Sequence, residues 1–129
     1  MGILKYNYNR DREIDNLNRQ YFQSKGTLIE IHTADLHFGV INPKVQYDIL
    51  CEQLLDKVKD VPFNIFSIDG DIFDHKFMSN SDAVMYATMF IDRVVSLCKQ
   101  KNATLFLIGG TELHDAGQLK LFYHYLHDP

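Results

Sequence analysis

The sequence predicts an α/β chain in the order β-α-β-α-β-α, and two observations predict it. Three short apolar runs recur at 28–34, 63–69 and 104–108, each rich in β-branched or aromatic residues and each followed at once by Asp or Gly. Between them lie two segments, 44–59 and 81–100, whose apolar residues recur at helical spacing. Strands alternating with helices imply parallel pairing and right-handed crossovers.

Each element has its own signal. Residues 1–25 read as a polar N-terminal extension, with one short helical rhythm at Ile14, Leu17 and Tyr21. The first helical segment places Val45, Ile49, Leu50, Leu54 and Val58 on its apolar face. The second places Val84, Ala87, Phe90, Ile91, Val94 and Cys98 there, with Ser79, Ser81 or Asp82 as N-cap. A third helix is expected after Gly117, with Leu119, Phe122, Tyr123 and Leu126 on one face. Residues 26–129 then form one partial domain. Three strands and three helices make a thin core, so this domain reads as the first part of something larger, or as a unit that needs a partner.

Charge and cysteine usage bound the function. Thirteen Lys and Arg face seventeen Asp and Glu, a formal net charge of −4, so bulk charge does not hold nucleic acid. Residues 1–25 carry five bases and three acids, whereas 26–129 carry eight bases and fourteen acids. The aromatic and basic residues Tyr6, Tyr8, Arg10, Arg12, Arg19 and Tyr21 are a candidate contact with nucleic acid or a partner; a solubilising tail is the plainer reading. Cys51 and Cys98 have no CxxC spacing and read as reduced, core-facing thiols. No apolar stretch is long enough to span a membrane and no secretory pattern opens the chain, so the expected location is the cytoplasm, with association to the nucleoid as a variant.

The chemistry gathers after the strands, where open α/β sheets place their functional groups. Asp35-Leu36-His37 follows the first run. Gly70-Asp71-Ile72-Phe73-Asp74-His75 follows the second. Gly109-Gly110-Thr111-Glu112-Leu113-His114-Asp115 follows the third. The spacings, 36 residues from Asp35 to Asp71 and 43 from Asp71 to His114, each accommodate one helix and one strand. Clustered carboxylates repel unless protonated or metal-bound, and carboxylate with imidazole suits Mn²⁺, Fe²⁺ or Zn²⁺. Two such ions clamp the attacking and leaving oxygens of a phosphoryl transfer. Taken singly, each motif also has a plain structural reading as a capped turn; it is the three together, in order, that point to a metal site. His32 lies within the first run and reads as a buried or edge histidine. Tyr86, Phe90, Phe106 and Phe122 read as packing.

These residues resemble the calcineurin-like metallophosphoesterase family, whose motifs run D-x-H, G-D-x-x-D and G-N-H-[DE], and within it the SbcD-type DNA-repair exonucleases of bacteria and phages. The stretches Thr33-Ala34-Asp35-Leu36-His37-Phe38-Gly39 and Gly70-Asp71-Ile72-Phe73-Asp74 carry the resemblance, which covers about residues 28–117. It implies the first half of a sandwich of sheets flanked by helices, and a site with two divalent ions, Mn²⁺ first and Fe²⁺, Zn²⁺ or Mg²⁺ as alternatives. By resemblance Asp35 and His37 hold the first metal, Asp71 bridges both, and Asp74 orients the ligands. His114, paired with Asp115, acts near the leaving group. The chain departs from the pattern where Gly-Thr-Glu-Leu-His stands for Gly-Asn-His: Thr111 or Glu112 replaces the missing Asn, or His114 turns inward as a ligand. His75 stands near enough to reach substrate or to face solvent. The family's later histidine motifs have no counterpart, since His124 and His127 fall on the last predicted helix, so this chain alone is expected to hold at most one ion. The implied partners are DNA through the full-length protein, an SbcC-type coiled-coil ATPase, and a second copy in a homodimer, with no membrane. Two other functions remain open: a truncated, non-catalytic module that binds or regulates a nuclease or ATPase, and a phosphoesterase acting on nucleotides or phosphoproteins.

Overall fold

The computed structural model describes residues 3–7, as backbone, and residues 26–125. The architecture is mixed α/β. Strand β1 (Ile3–Asn7) is followed by β2 (Glu30–Thr33) and helix α1 (Pro43–Leu50). That helix runs on through a π-helical segment (Cys51–Leu55) into the short α2 (Asp56–Val58). Then come β3 (Ile65–Asp69), α3 (Asp82–Lys101), β4 (Thr104–Ile108), the single-turn α4 (Glu112–Asp115) and a 3-10 helix (Gln118–Tyr125). One four-stranded sheet has the order β1-β4-β3-β2. Strands β2, β3 and β4 are parallel, in register through Ile31 opposite Phe66 and Ser67 opposite Phe106.

The parallel strands step one way across the sheet, from β2 to β3 to β4, so right-handed crossovers carry their helices to one face. That face holds the core. Phe66, Ile68, Leu105 and Leu107 pack with Ala87, Phe90, Ile91, Val94 and Cys98 of α3, all of them buried. Helix α3 follows the sequence expectation closely. Ser81 caps it, its Oγ accepting the Val84 N–H at 3.3 Å, and Asn102 ends it with a left-handed φ of 52°. Both cysteines are free, and burial pushes the Cys98 thiol up to about 12.

Three expectations need correction. Strand β1 pairs antiparallel to β4, Ile3 opposite Ile108 through Asn7 opposite Thr104, where no strand was expected. The helical rhythm expected at Ile14, Leu17 and Tyr21 lies outside the described residues. In α1, Val45 and Ile49 are exposed and Gln46 is buried instead. The buried amide earns its place: its Nε2 donates to the Leu36 carbonyl and its Oε1 accepts the Gly39 N–H. Last, the segment after Gly117 winds as a 3-10 helix, whose threefold period buries Phe122 and half-buries Leu119 and Tyr125 while leaving Tyr123 exposed. Among the described residues no helix is long and apolar enough to cross a membrane.

Candidate metal centre

Past the ends of β2 and β3 the chain leaves regular structure, but the two loops stay zipped together. Asp35 N donates to Gly70 O at 3.2 Å, His37 N to Asp71 O at 3.0 Å, Phe38 N to Ile72 O at 2.8 Å, and Asp74 N to Phe38 O at 3.1 Å. Apolar residues interleaved with the polar ones anchor the pair. Leu36, Phe38, Ile72 and Phe73 are all buried, and each side chain of that size contributes about 2 kcal/mol by leaving water. The same alternation puts Asp35, His37, Asp71 and Asp74 on the other side.

The backbone there is unusual. Asp35, His37 and Asp71 have φ of 55°, 51° and 53°, in the left-handed region that Asp, Asn and His tolerate best among residues with a Cβ. Gly70, with φ of 92°, packs its missing Cβ toward Gly110 Cα, and a Cβ on Gly110 would collide with the Asp71 backbone and carboxylate. The Gly-Gly pair after β4 is therefore what lets the third motif approach the second.

The loop after β4 then completes the cluster. His37, Asp71 and His114 each offer one ligand atom, all within 4.8 Å of one another, and the group could hold a metal ion. The two imidazole rings meet edge to face with centroids 4.5 Å apart. His114 Nδ1 donates to the Asp74 carbonyl at 2.6 Å, and a carbonyl only accepts, so Nδ1 carries a proton and Nε2 is the ring nitrogen left for a cation. His37 Nδ1 lies 3.4 Å from Asp74 Oδ1, and its Nε2 lies 3.8 Å from Asp35 Oδ1. Asp74 thus orients both histidines, one through its carboxylate and one through its backbone, as the outer partners of metal-binding histidines do.

Asp71 is held in turn by Thr111, whose N–H and hydroxyl both donate to Oδ1, at 2.8 and 3.2 Å. The Thr111 N–H, outweighing the opposing effect of burial, holds the Asp71 carboxyl below its ordinary range. Asp74 is held low as well, chiefly by His75, whose Nδ1 lies 3.2 Å from Oδ2. Both are therefore anionic at neutral pH, and a carboxylate has lone pairs left for a cation after two hydrogen bonds.

The other expected residues fall outside the cluster. Asp35 is 72% exposed, with Oδ1 3.8 Å from His37 Nε2. Glu112 is exposed in the first turn of α4. His75 is exposed, its ring against Phe77 at a centroid distance of 4.0 Å. Asp115, expected beside His114, is 4% exposed and accepts from the backbone instead: Oδ2 takes Gly110 N at 2.6 Å and Asp71 N at 3.1 Å, and Oδ1 takes Phe73 N at 3.2 Å. It buttresses the loops and does not pair with His114. Hydropathy patterns missed Gln46 and Gln118 because each is a polar residue spending its amide on a loop backbone. Gln118 Nε2 donates to His75 O at 2.9 Å, and its Oε1 accepts Phe77 N at 3.0 Å.

No protein-family model, curated protein or solved structure matches the chain.

Proposed function

We propose that this chain is the N-terminal half of the catalytic domain of a metal-dependent phosphodiesterase acting on DNA, of the calcineurin-like SbcD type. The observation that carries the reading is the convergence of His37, Asp71 and His114, one from each strand-end motif, with both histidines held at Nδ1 by Asp74. Two imidazoles and a carboxylate suit Mn²⁺, Fe²⁺ or Zn²⁺ and leave coordination positions open. When bound, such an ion polarises a phosphoryl oxygen and lowers the pKa of a bound water. The chain's own residues prepare that chemistry: Thr111 fixes Asp71, Asp74 fixes the imidazoles, and Asp115 fixes the loop backbones. In this reading His114 fills the position of the missing Asn ligand. The remaining half of the sandwich, the ATPase partner and the homodimer belong to the whole protein. A second reading, a module that holds one ion without catalysis, draws on the exposed Asp35, which stands apart from the three-residue group.

The test is a calorimetric titration of the chain with Mn²⁺, beside cleavage of linear DNA. Wild type should take up one ion, and His37→Ala or Asp71→Asn should weaken uptake by about 100-fold with unchanged circular dichroism, at the upper end of what even outer partners cost. Failure of wild type to bind Mn²⁺, Fe²⁺ or Zn²⁺ sinks the metal reading. Cleavage of linear DNA by the chain with Mn²⁺ overturns the non-catalytic module, whereas uptake without cleavage fits both a half-site and that module.

A further inference from the structure

A cavity of about 310 Å³ opens between two walls, lined among others by Lys76, Phe77 and Met78 on one side and Gln118, Lys120 and Leu121 on the other. Its size is at the lower end for small-ligand sites. Each wall continues a loop of the metal centre: Lys76 to Met78 follow Asp74, and Gln118 to Leu121 follow His114 and Asp115 across one turn. Gln118, 5% exposed, joins the walls by its two bonds to the backbone of His75 and Phe77, so the cavity is arranged before anything enters it.

Charge and surface chemistry indicate the occupant. In a chain with seventeen acids and thirteen bases, the cavity is lined by two lysines and no carboxylate. Phe77 and Met78 add an aromatic ring and a thioether, surfaces that suit the face of a nucleobase. The lysine pair offers a place for anionic oxygen on walls that continue directly from the loops carrying Asp74 and His114. The geometry points to a subsite for the nucleotide adjoining the phosphate held at His37, Asp71 and His114. Lys76 and Lys120 take the flanking phosphate, and Phe77 and Met78 take the base. The ligand is a single nucleic-acid strand. Its placement rests on the metal reading above; its recognition by lysine and aromatic groups does not.

The experiment is fluorescence anisotropy of a hydrolysis-resistant phosphorothioate oligothymidylate against the 129-residue chain, in Mn²⁺ and separately in EDTA, over a series of salt concentrations. The variants are Lys76→Ala/Lys120→Ala and, as a control, Lys59→Ala. Lys59 lines a different cavity of about 240 Å³ with Leu55 and Arg93, away from the metal ligands. The double variant should bind about tenfold more weakly and lose about 1.4 from the slope of log affinity against log salt, the share of two phosphate contacts on a single strand. Lys59→Ala should match wild type, and Mn²⁺ uptake should be the same in all three proteins. An unchanged affinity and slope in the double variant, an equal loss in Lys59→Ala, or no oligonucleotide binding by wild type overturns the subsite, while intact Mn²⁺ uptake leaves the metal reading standing. Lysine-dependent binding in EDTA by a chain that takes up no metal supports the subsite and defeats the metal reading. Equal binding of thymidine monophosphate and the oligonucleotide overturns the assignment to a strand.

Discussion

Asp115 has both the residue type and the place in sequence for proton transfer, and its surroundings give it another task. Its three backbone donors belong to Asp71, Phe73 and Gly110, so one buried carboxylate ties the second motif to the third. Removing it strands buried N–H groups, whose desolvation is the larger part of the cost. Asp115→Ala should therefore destabilise the chain by about 3 kcal/mol in urea unfolding, and Mn²⁺ affinity should drop about tenfold where the protein is still folded, because Asp71 loses its buttress. A proton-transfer role predicts the reverse pattern, lost cleavage at unchanged stability. Sequence position alone does not separate the two, since what distinguishes them is which backbone groups lie within 3.2 Å. The same holds for Gln46 and Gln118. The Asp and His of the strand-end motifs, by contrast, show by residue type, and three of them, Asp35, His37 and Asp71, occupy the left-handed backbone that those types tolerate.

At the scale of elements, the legible ones were those whose signal is local. Helix α3 carries its apolar stripe, its Ser81 cap and its terminal Asn102 within one stretch of chain. Strands β3 and β4 are compact apolar runs between turn residues. Strand β1 is different: Leu4-Lys5-Tyr6-Asn7 does alternate apolar with polar, but the run is short and lies in a polar segment, and Ile3–Asn7 finds its partner about a hundred residues away on β4. Its pairing covers an edge that would otherwise present the β4 ladder to any other chain. Deleting residues 1–7 should cost about 3 kcal/mol, from a handful of hydrogen bonds at about 1 kcal/mol each, and should raise the apparent mass in sedimentation as bare β4 edges pair. A truncated chain as stable and as monomeric as wild type would show that β1 adds nothing to the sheet. The 3-10 winding after Gly117 escaped for a related reason: three- and four-residue periods differ little over eight residues, and burial of Phe122 against Phe73, with rings 6.2 Å apart and parallel within 2°, decides between them.

Seen as a whole, the molecule has helices on one face of its sheet, and the other face carries a polar patch beside the half-buried Ile65, Phe106 and Ile108. Register places Glu30 and His32 of β2 beside Ser67 and Asp69 of β3 on the face opposite Phe66 and Ile68. His32 bridges two carboxylates there, Nε2 to Glu30 at 3.0 Å and Nδ1 to Asp69 at 2.7 Å, and Glu30 first, then Asp69, raises its pKa above the ordinary value. A histidine raised in the folded state adds stability in full below its unfolded pKa of about 6.5 and loses it as pH rises through the folded value. Carboxylates act on the other limb. Burial pushes Asp69 up, but the Ser67 hydroxyl and His32 outweigh it, and Asp71 and Asp74 are lowered by Thr111 and His75. Their contributions are present above about pH 3.9 and vanish as pH falls through the depressed folded values. Stability in EDTA should therefore peak between about pH 4 and about pH 6.5. At 52% exposed, His32 sits where solvent and salt weaken its pairs, so its limb should be shallow and flatten as salt is added. His32→Gln removes the group that titrates. The melting temperature of wild type should exceed that of the variant most near about pH 5.5 and converge on it by about pH 8, while both fall together on the acid side through Asp71 and Asp74. Melting curves that stay parallel over that range would mean that the bridge across the open face of the sheet carries no net charge coupling, and that the alkaline limb arises elsewhere.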